Sequence, residues 1–270
     1  MMQRVLAVAE MTIRRLMRSR LLWVAVVGAV LVIGIFMSAV VTMVRTLASG
    51  QPVSGSQVAH VVGTIITILG AMGQLIAIFV GVSVVRRDVV DGTVASVLSK
   101  PVSRGEYIAA SWAGSALYLL LMWGLFALLL TLFAAAFKSP LDGAAYTAML
   151  GRYLVCLMTM AIALSFSIRA HPWVAVLLTF LILRGRATVD GIAQILAVVG
   201  ADVPDTLVEV LKFPFPMGGA LDALGDRLTK GMLSEQALGP AFLHIIDYGL
   251  VMAVLAYLLF RCLEVNRVRE

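Results

Sequence analysis

The chain has 270 residues, 61% of them hydrophobic and 13% charged, with a formal net charge of +6. Soluble domains carry roughly 45–50% apolar and about 25% charged residues, so this composition excludes a soluble fold. It equally excludes a disordered chain, a disulfide scaffold and a collagen-like fibre, and leaves an integral membrane protein.

The first twenty residues do not read as a secretory signal. Such a signal has a short basic region and an apolar core of about 7–15 residues. Here the basic part runs to Arg20, and Leu21 to Val44 follows free of charge. Val5, Leu6, Ala9, Ile13 and Leu16 recur at helical spacing, with Arg14, Arg15 and Arg18 on the flank. That pattern predicts an interfacial amphipathic helix over 1–20, the alternative being a disordered basic tail.

A membrane-crossing helix needs about 20 largely apolar residues. Six runs meet this requirement: 21–44, 58–85, 107–137, 143–168, 172–200 and 240–260. The fourth contains Arg152, the fifth is interrupted by Arg184, Arg186 and Asp190, and the sixth holds His244 and Asp247. Six spans place both termini on one side with thirteen of the 21 Lys and Arg residues. The positive-inside rule makes that side the cytoplasm, and a count of five spans would break the asymmetry. The basic surplus thus suits an anionic leaflet rather than nucleic acid, since no basic face alternates with aromatic residues. The fold expected is an all-α polytopic membrane protein forming a single transmembrane domain.

The loop at 86–106, RRDVVDGTVASVLSKPVSRGE, is polar and internally punctuated. Asp91-Gly92-Thr93 is a helix-start signal, Val94 to Leu98 supplies one or two turns, and Pro101 ends them. Ser103-Arg104-Gly105-Glu106 reads as a capping box opening the third span. The segment is either a short rigid helix suited to docking on a cytoplasmic partner or an ordinary linker between hairpins.

The pattern Asp88-x-x-x-Gly92-Thr93-Val94-x-x-Val97-Leu98-Ser99-x-Pro101-Val102-Ser103-Arg104 resembles the signature of ABC-2 type permeases, the membrane subunits of ATP-binding cassette exporters. The resemblance covers the whole chain in topology and about twenty residues in motif. Two positions depart from the pattern. Ser111 stands near where a lysine is often found, and the acid before Gly-Thr is displaced to Asp91. In that family the short helix is the coupling helix, seated in a cleft of the ATPase subunit. The resemblance therefore implies that Thr93 to Ser99 contacts an ATPase, with Arg86, Arg87 and Asp88 at the rim. It also implies two copies of that ATPase, a second permease chain, and a bacterial or archaeal cytoplasmic (inner) membrane. The chain carries no G-x-x-x-x-G-K-[ST] phosphate loop, so ATP and Mg are expected on the partner, with no cofactor or catalytic residue here.

Ionisable residues within a bilayer are costly and mark functional candidates. At about 1.5 Å per residue, Arg184 lies roughly 18 Å into span five and Asp247 roughly 21 Å from the exit of span six. Asp247 is expected to pair with Arg184 or Arg186, directly or through water, with His244 one turn above on the same face. The pair would either pin spans five and six or line a substrate path. No third ligand follows for a metal.

The stretch 201–239 holds six acids against Lys212, Arg227 and Lys230. Lys212-Phe213-Pro214-Phe215-Pro216 cannot be regular helix, whereas Leu221, Leu224, Leu228 and Leu233 suggest a short amphipathic helix. This stretch is either a loop on the headgroups or, as the resemblance implies, an external element closing the outer mouth.

Other classes fit less well. A membrane-anchored machine driven by the same ATPase would use the same fold without classical transport. A membrane enzyme needs clustered ligands, yet His60, His171 and His244 are scattered along the chain. A secondary transporter wants paired broken helices, and only the fifth run is interrupted. Cys156 and Cys262 lack redox or metal spacing, and the 14 methionines read as gap-fillers.

Overall fold

The computed structural model describes residues 10–14, 27, 30–31, 34, 38, 41, 55–90, 103–136, 143–198, 204–216 and 238–262. Six helices of eight or more residues are described in continuous stretches. They are α1 (Gly55–Val90), α2 (Arg104–Ala136), α3 (Gly143–Ser167), α4 (Pro172–Val198), α5 (Asp205–Lys212) and α6 (Leu238–Arg261). Five of them, all but α5, are long and apolar enough to cross a bilayer. Among the described residues there is no strand, as expected where every backbone amide must find its partner without water. This is a multi-pass, all-helical membrane protein.

The expected first span, 21–44, lies largely outside the described residues; Val27, Val30, Leu31, Gly34, Ser38 and Val41 within it are helical. Of the expected interfacial helix, residues 10–14 are helical, with Arg14 bonded to Glu10 one turn back at 2.5 Å.

α3 is the hub. It packs most extensively on α1 and α6, and also touches α2 and α4. α1, α3 and α6 run parallel: Gly70 meets Arg152, Gly81 meets Met160 to Leu164, and Gly249 faces Met158. α2 runs the other way, with the Tyr153 hydroxyl donating to the Ala116 carbonyl at 3.3 Å and Tyr146 bonding Thr131 at 3.1 Å.

The α1–α3 contact follows from Gly73-x-x-x-Ala77-x-x-x-Gly81, a stripe of small residues that lets two backbones approach. A Cβ on Gly81 would stand 2.6 Å from the Met160 carbonyl oxygen and 2.8 Å from the Ala163 methyl. The Ser167 hydroxyl reaches Gly81 O at 3.4 Å, and the Ser165 hydroxyl reaches Met252 O on α6 at 2.7 Å. In a lipid solvent such hydroxyls also bond back to their own helix, as Ser165 does to Ala161 O at 2.8 Å. Ile65, Leu69, Val80, Leu119, Phe126 and Met160 fill the space between α1, α2 and α3.

One difference from the sequence reading concerns the end of the second expected span, whereas α4 covers the fifth expected span, 172–200. α1 does not end near Val85 but continues through Arg86, Arg87 and Asp88 to Val90. Residues 86–90 contain no glycine or proline to break the helix, so it runs on past the apolar stretch. α4 passes uninterrupted through Arg184, Arg186 and Asp190, because those side chains find partners or surface rather than breaking the backbone.

Candidate functional site

The helix ends carrying Arg86, Arg169 and Arg261 gather at one end of the bundle, its basic end. The segment between α1 and α2 leaves and returns there. Asp91, Gly92, Thr93, Val94, Val97, Leu98, Ser99 and Pro101 lie outside the described residues. Arg87 and Asp88 are in the last turn of α1, and Arg104 is the first residue of α2.

Both roots of this segment are anchored, and to different helices. On the departing side, the Arg86 guanidinium donates to the Ala170 carbonyl in the turn that joins α3 to α4. That carbonyl follows the end of α3, where backbone acceptors lack helical partners and a cation is favoured. On the returning side, Ser103 N donates to Glu106 Oε2 at 2.8 Å, while Glu106 N donates to Ser103 Oγ at 3.2 Å. This is the reciprocal capping box read from the sequence. One residue further, the Tyr107 ring stacks on Phe260 of α6 at 5.8 Å, and Gly105 lies under Tyr257. The two helices flanking the segment are thus tied to the α3–α4 turn through Arg86 and to α6 through Tyr107. Ser103→Ala is expected to cost about 1 kcal/mol by removing the cap, read as a few degrees in the melting temperature of the detergent-solubilised protein.

The second group of charges lies farther along α4 and α6. Arg184 is exposed and rests over the Phe180 ring, 5.9 Å from its centroid. Arg186 Nε donates to the Phe215 carbonyl at 3.1 Å. Asp247 is exposed, and His244 is half-buried beside Tyr248, ring centroids 6.3 Å apart. Among the described residues no direct ion pair joins Asp247 to Arg184 or Arg186. The reason is positional. α4 and α6 each pack on α3, and the segment after α5 takes Arg186 instead.

The acid that does pair is Asp190, with Lys212 Nζ at 2.5 Å; Glu209 lies 3.8 Å from the same ammonium. The hydrogen bond to the Asp190 carboxylate holds the Lys212 pKa above its ordinary value of 10.5. A raised folded-state pKa means that this tie is fully present below pH 10.5 and is lost as pH rises through the raised value. The melting-temperature gap between the parent and Asp190→Asn is therefore expected to close as pH is taken from about 9 to about 11.5.

Sequence reasoning missed α5 and the partners of the non-helical strap that follows it. The signal for α5 was present in Pro204-Asp205, a proline and an acid at the start of an amphipathic turn. Leu207, Val210 and Leu211 on this helix are exposed, as suits an element lying against lipid. Residues 213–216 leave helical geometry, as the two prolines require. The amphipathic helix expected around Leu221 to Leu233 lies outside the described residues. Arg152, read only as an interruption of the fourth span, is 4% exposed and lays its side chain across the notch at Gly70.

No protein-family model matches this chain, and no curated protein is similar enough to it to count as a relative.

Proposed function

We propose that this chain is the membrane permease subunit of an ATP-driven exporter of the ABC-2 type, working with a separate ATPase. The observation that carries the reading is the Asp88 to Arg104 motif, running from the last turn of α1 to the first residue of α2. The motif joins two helices whose ends are clamped to the α3–α4 turn and to α6. A docking helix that receives force has to be attached to the elements it moves, and these ties supply that attachment. The basic end would face the cytoplasm, in line with the positive-inside rule. Thr93 to Ser99 would meet the ATPase, with Val94, Val97 and Leu98 as apolar contacts and Asp88, Asp91 and Arg104 at the margin. ATP and Mg would be held by two copies of that partner.

Much of the outer surface of α4 and α6 is apolar and uncovered in the isolated chain. Lipid would cover part of it and a second permease chain the rest. Affinity purification of the tagged chain from native membranes tests the reading. A nucleotide-hydrolysing protein is expected to co-elute and to be lost in Leu98→Asp. Purification without any such companion, or labelling of Thr93→Cys from outside the cell, would overturn it.

A further inference from the structure

We propose that residues 212–216 form a releasable cross-brace between α4 and α6, latched by the Phe215 ring in a notch left by Gly185. Five residues carry four separate ties. Lys212 pairs with Asp190 and the Phe215 carbonyl accepts from Arg186, both partners on α4. The Pro214 carbonyl accepts from the Tyr248 hydroxyl of α6 at 3.1 Å. The Phe215 ring then fills the space where any side chain at 185 would stand, since a Cβ there would overlap the ring. Gly185 is buried by this contact in the middle of a helix whose neighbours Arg184 and Ala187 are exposed.

The position of the brace gives it leverage. Gly185 and Tyr248 each lie thirteen residues from the basic end of their helices, roughly 20 Å along a bilayer core of about 30 Å. α4 and α6 reach that level packed chiefly on α3 rather than on each other. The strap closes the remaining gap from the side.

Its chemistry makes it removable. Pro214 and Pro216 have no N–H, so lifting the strap strands no backbone donor at either position. Their fixed φ angles keep the segment stiff, so it leaves as a unit. The carbonyls of Pro214 and Phe215 are held by side chains alone, and Phe213 is already 85% exposed. Release would uncover the Gly185 notch, Arg186 Nε and the Tyr248 hydroxyl together, a polar opening between two apolar helices. This inference does not rest on the proposed exporter function.

The test uses the full chain in nanodiscs, with Cys156→Ala and Cys262→Ser as background. Pro216→Cys, at a buried position, reports lifting by its rate of reaction with a membrane-impermeant maleimide. Spin labels at the exposed positions Val198 and Leu243 report the separation of α4 and α6. Gly185→Ala is expected to raise the labelling rate at least tenfold and to broaden the α4–α6 distance distribution. Tyr248→Phe, which removes one hydroxyl, is expected to raise it severalfold at an unchanged melting temperature. The proposal is overturned if Pro216→Cys reacts in the parent as fast as Phe213→Cys. It is also overturned if neither substitution changes the rate, or if faster labelling leaves the distance distribution unchanged.

Discussion

Gly81→Val is expected to be the most damaging single change in α1. The new Cβ would meet the Met160 carbonyl and the Ala163 methyl, one of them backbone and the other a methyl fixed to it. Neither can rotate away, so the two helices have to separate along their contact. Overpacking of this kind costs about 3 kcal/mol, and separation also breaks the Ser167 bond to Gly81 O. The expected result is a loss of monodisperse protein on size exclusion in mild detergent, with a large fall in melting temperature. Gly124→Val supplies the control, because nothing lies within 4 Å of the Cβ it would add. If the two variants behave alike, the α1–α3 approach is not what holds these helices.

Arg86→Ala is expected to separate stability from transmission. Removing the guanidinium takes a charged donor from the Ala170 carbonyl, at a cost of about 2 kcal/mol. The core of α1 against α3 stays intact, so the variant is expected to fold and purify with a melting temperature lowered by a few degrees. Under the exporter reading it would still bind its ATPase and support hydrolysis, but substrate movement would fall at least tenfold. Arg86→Lys keeps a cation at the end of α3 and is expected to recover part of the loss. Hydrolysis and transport falling together in Arg86→Ala would show that the Ala170 tie is structural only.

The long helices were legible in the sequence because lipid imposes a simple requirement of about twenty apolar residues without interruption. The runs 107–137, 143–168 and 240–260 correspond closely to Arg104–Ala136, Gly143–Ser167 and Leu238–Arg261. Ser103 and Glu106 were legible for a different reason: a capping box is local, so its two hydrogen bonds are encoded within four residues. Residues 86–90 were misread as loop because a change from apolar to charged residues marks the membrane edge, not the helix end.

Tertiary partnership was not legible. Arg186 has Asp247 at a similar depth, yet it bonds a carbonyl 29 residues onward on a strap that hydropathy treats as a loop. Asp190 likewise takes Lys212 from a helix that carries no membrane-length run. The Gly73-Ala77-Gly81 stripe was in plain sight, but its partner face on α3 could not be named without the register of the two helices.

The central place of α3 bears on how the protein is made. Its Ser165 hydroxyl and the apolar residues Val155, Met158 and Ile162 are covered by Ile245 and Met252, which reach the ribosome exit about eighty to ninety residues later. At roughly 5–20 residues per second, that face waits on the order of ten seconds inside the bilayer before its permanent neighbour emerges. During that interval an insertase or a membrane chaperone has a binding window. A nascent chain cut short after α4 would keep that face without its α6 cover.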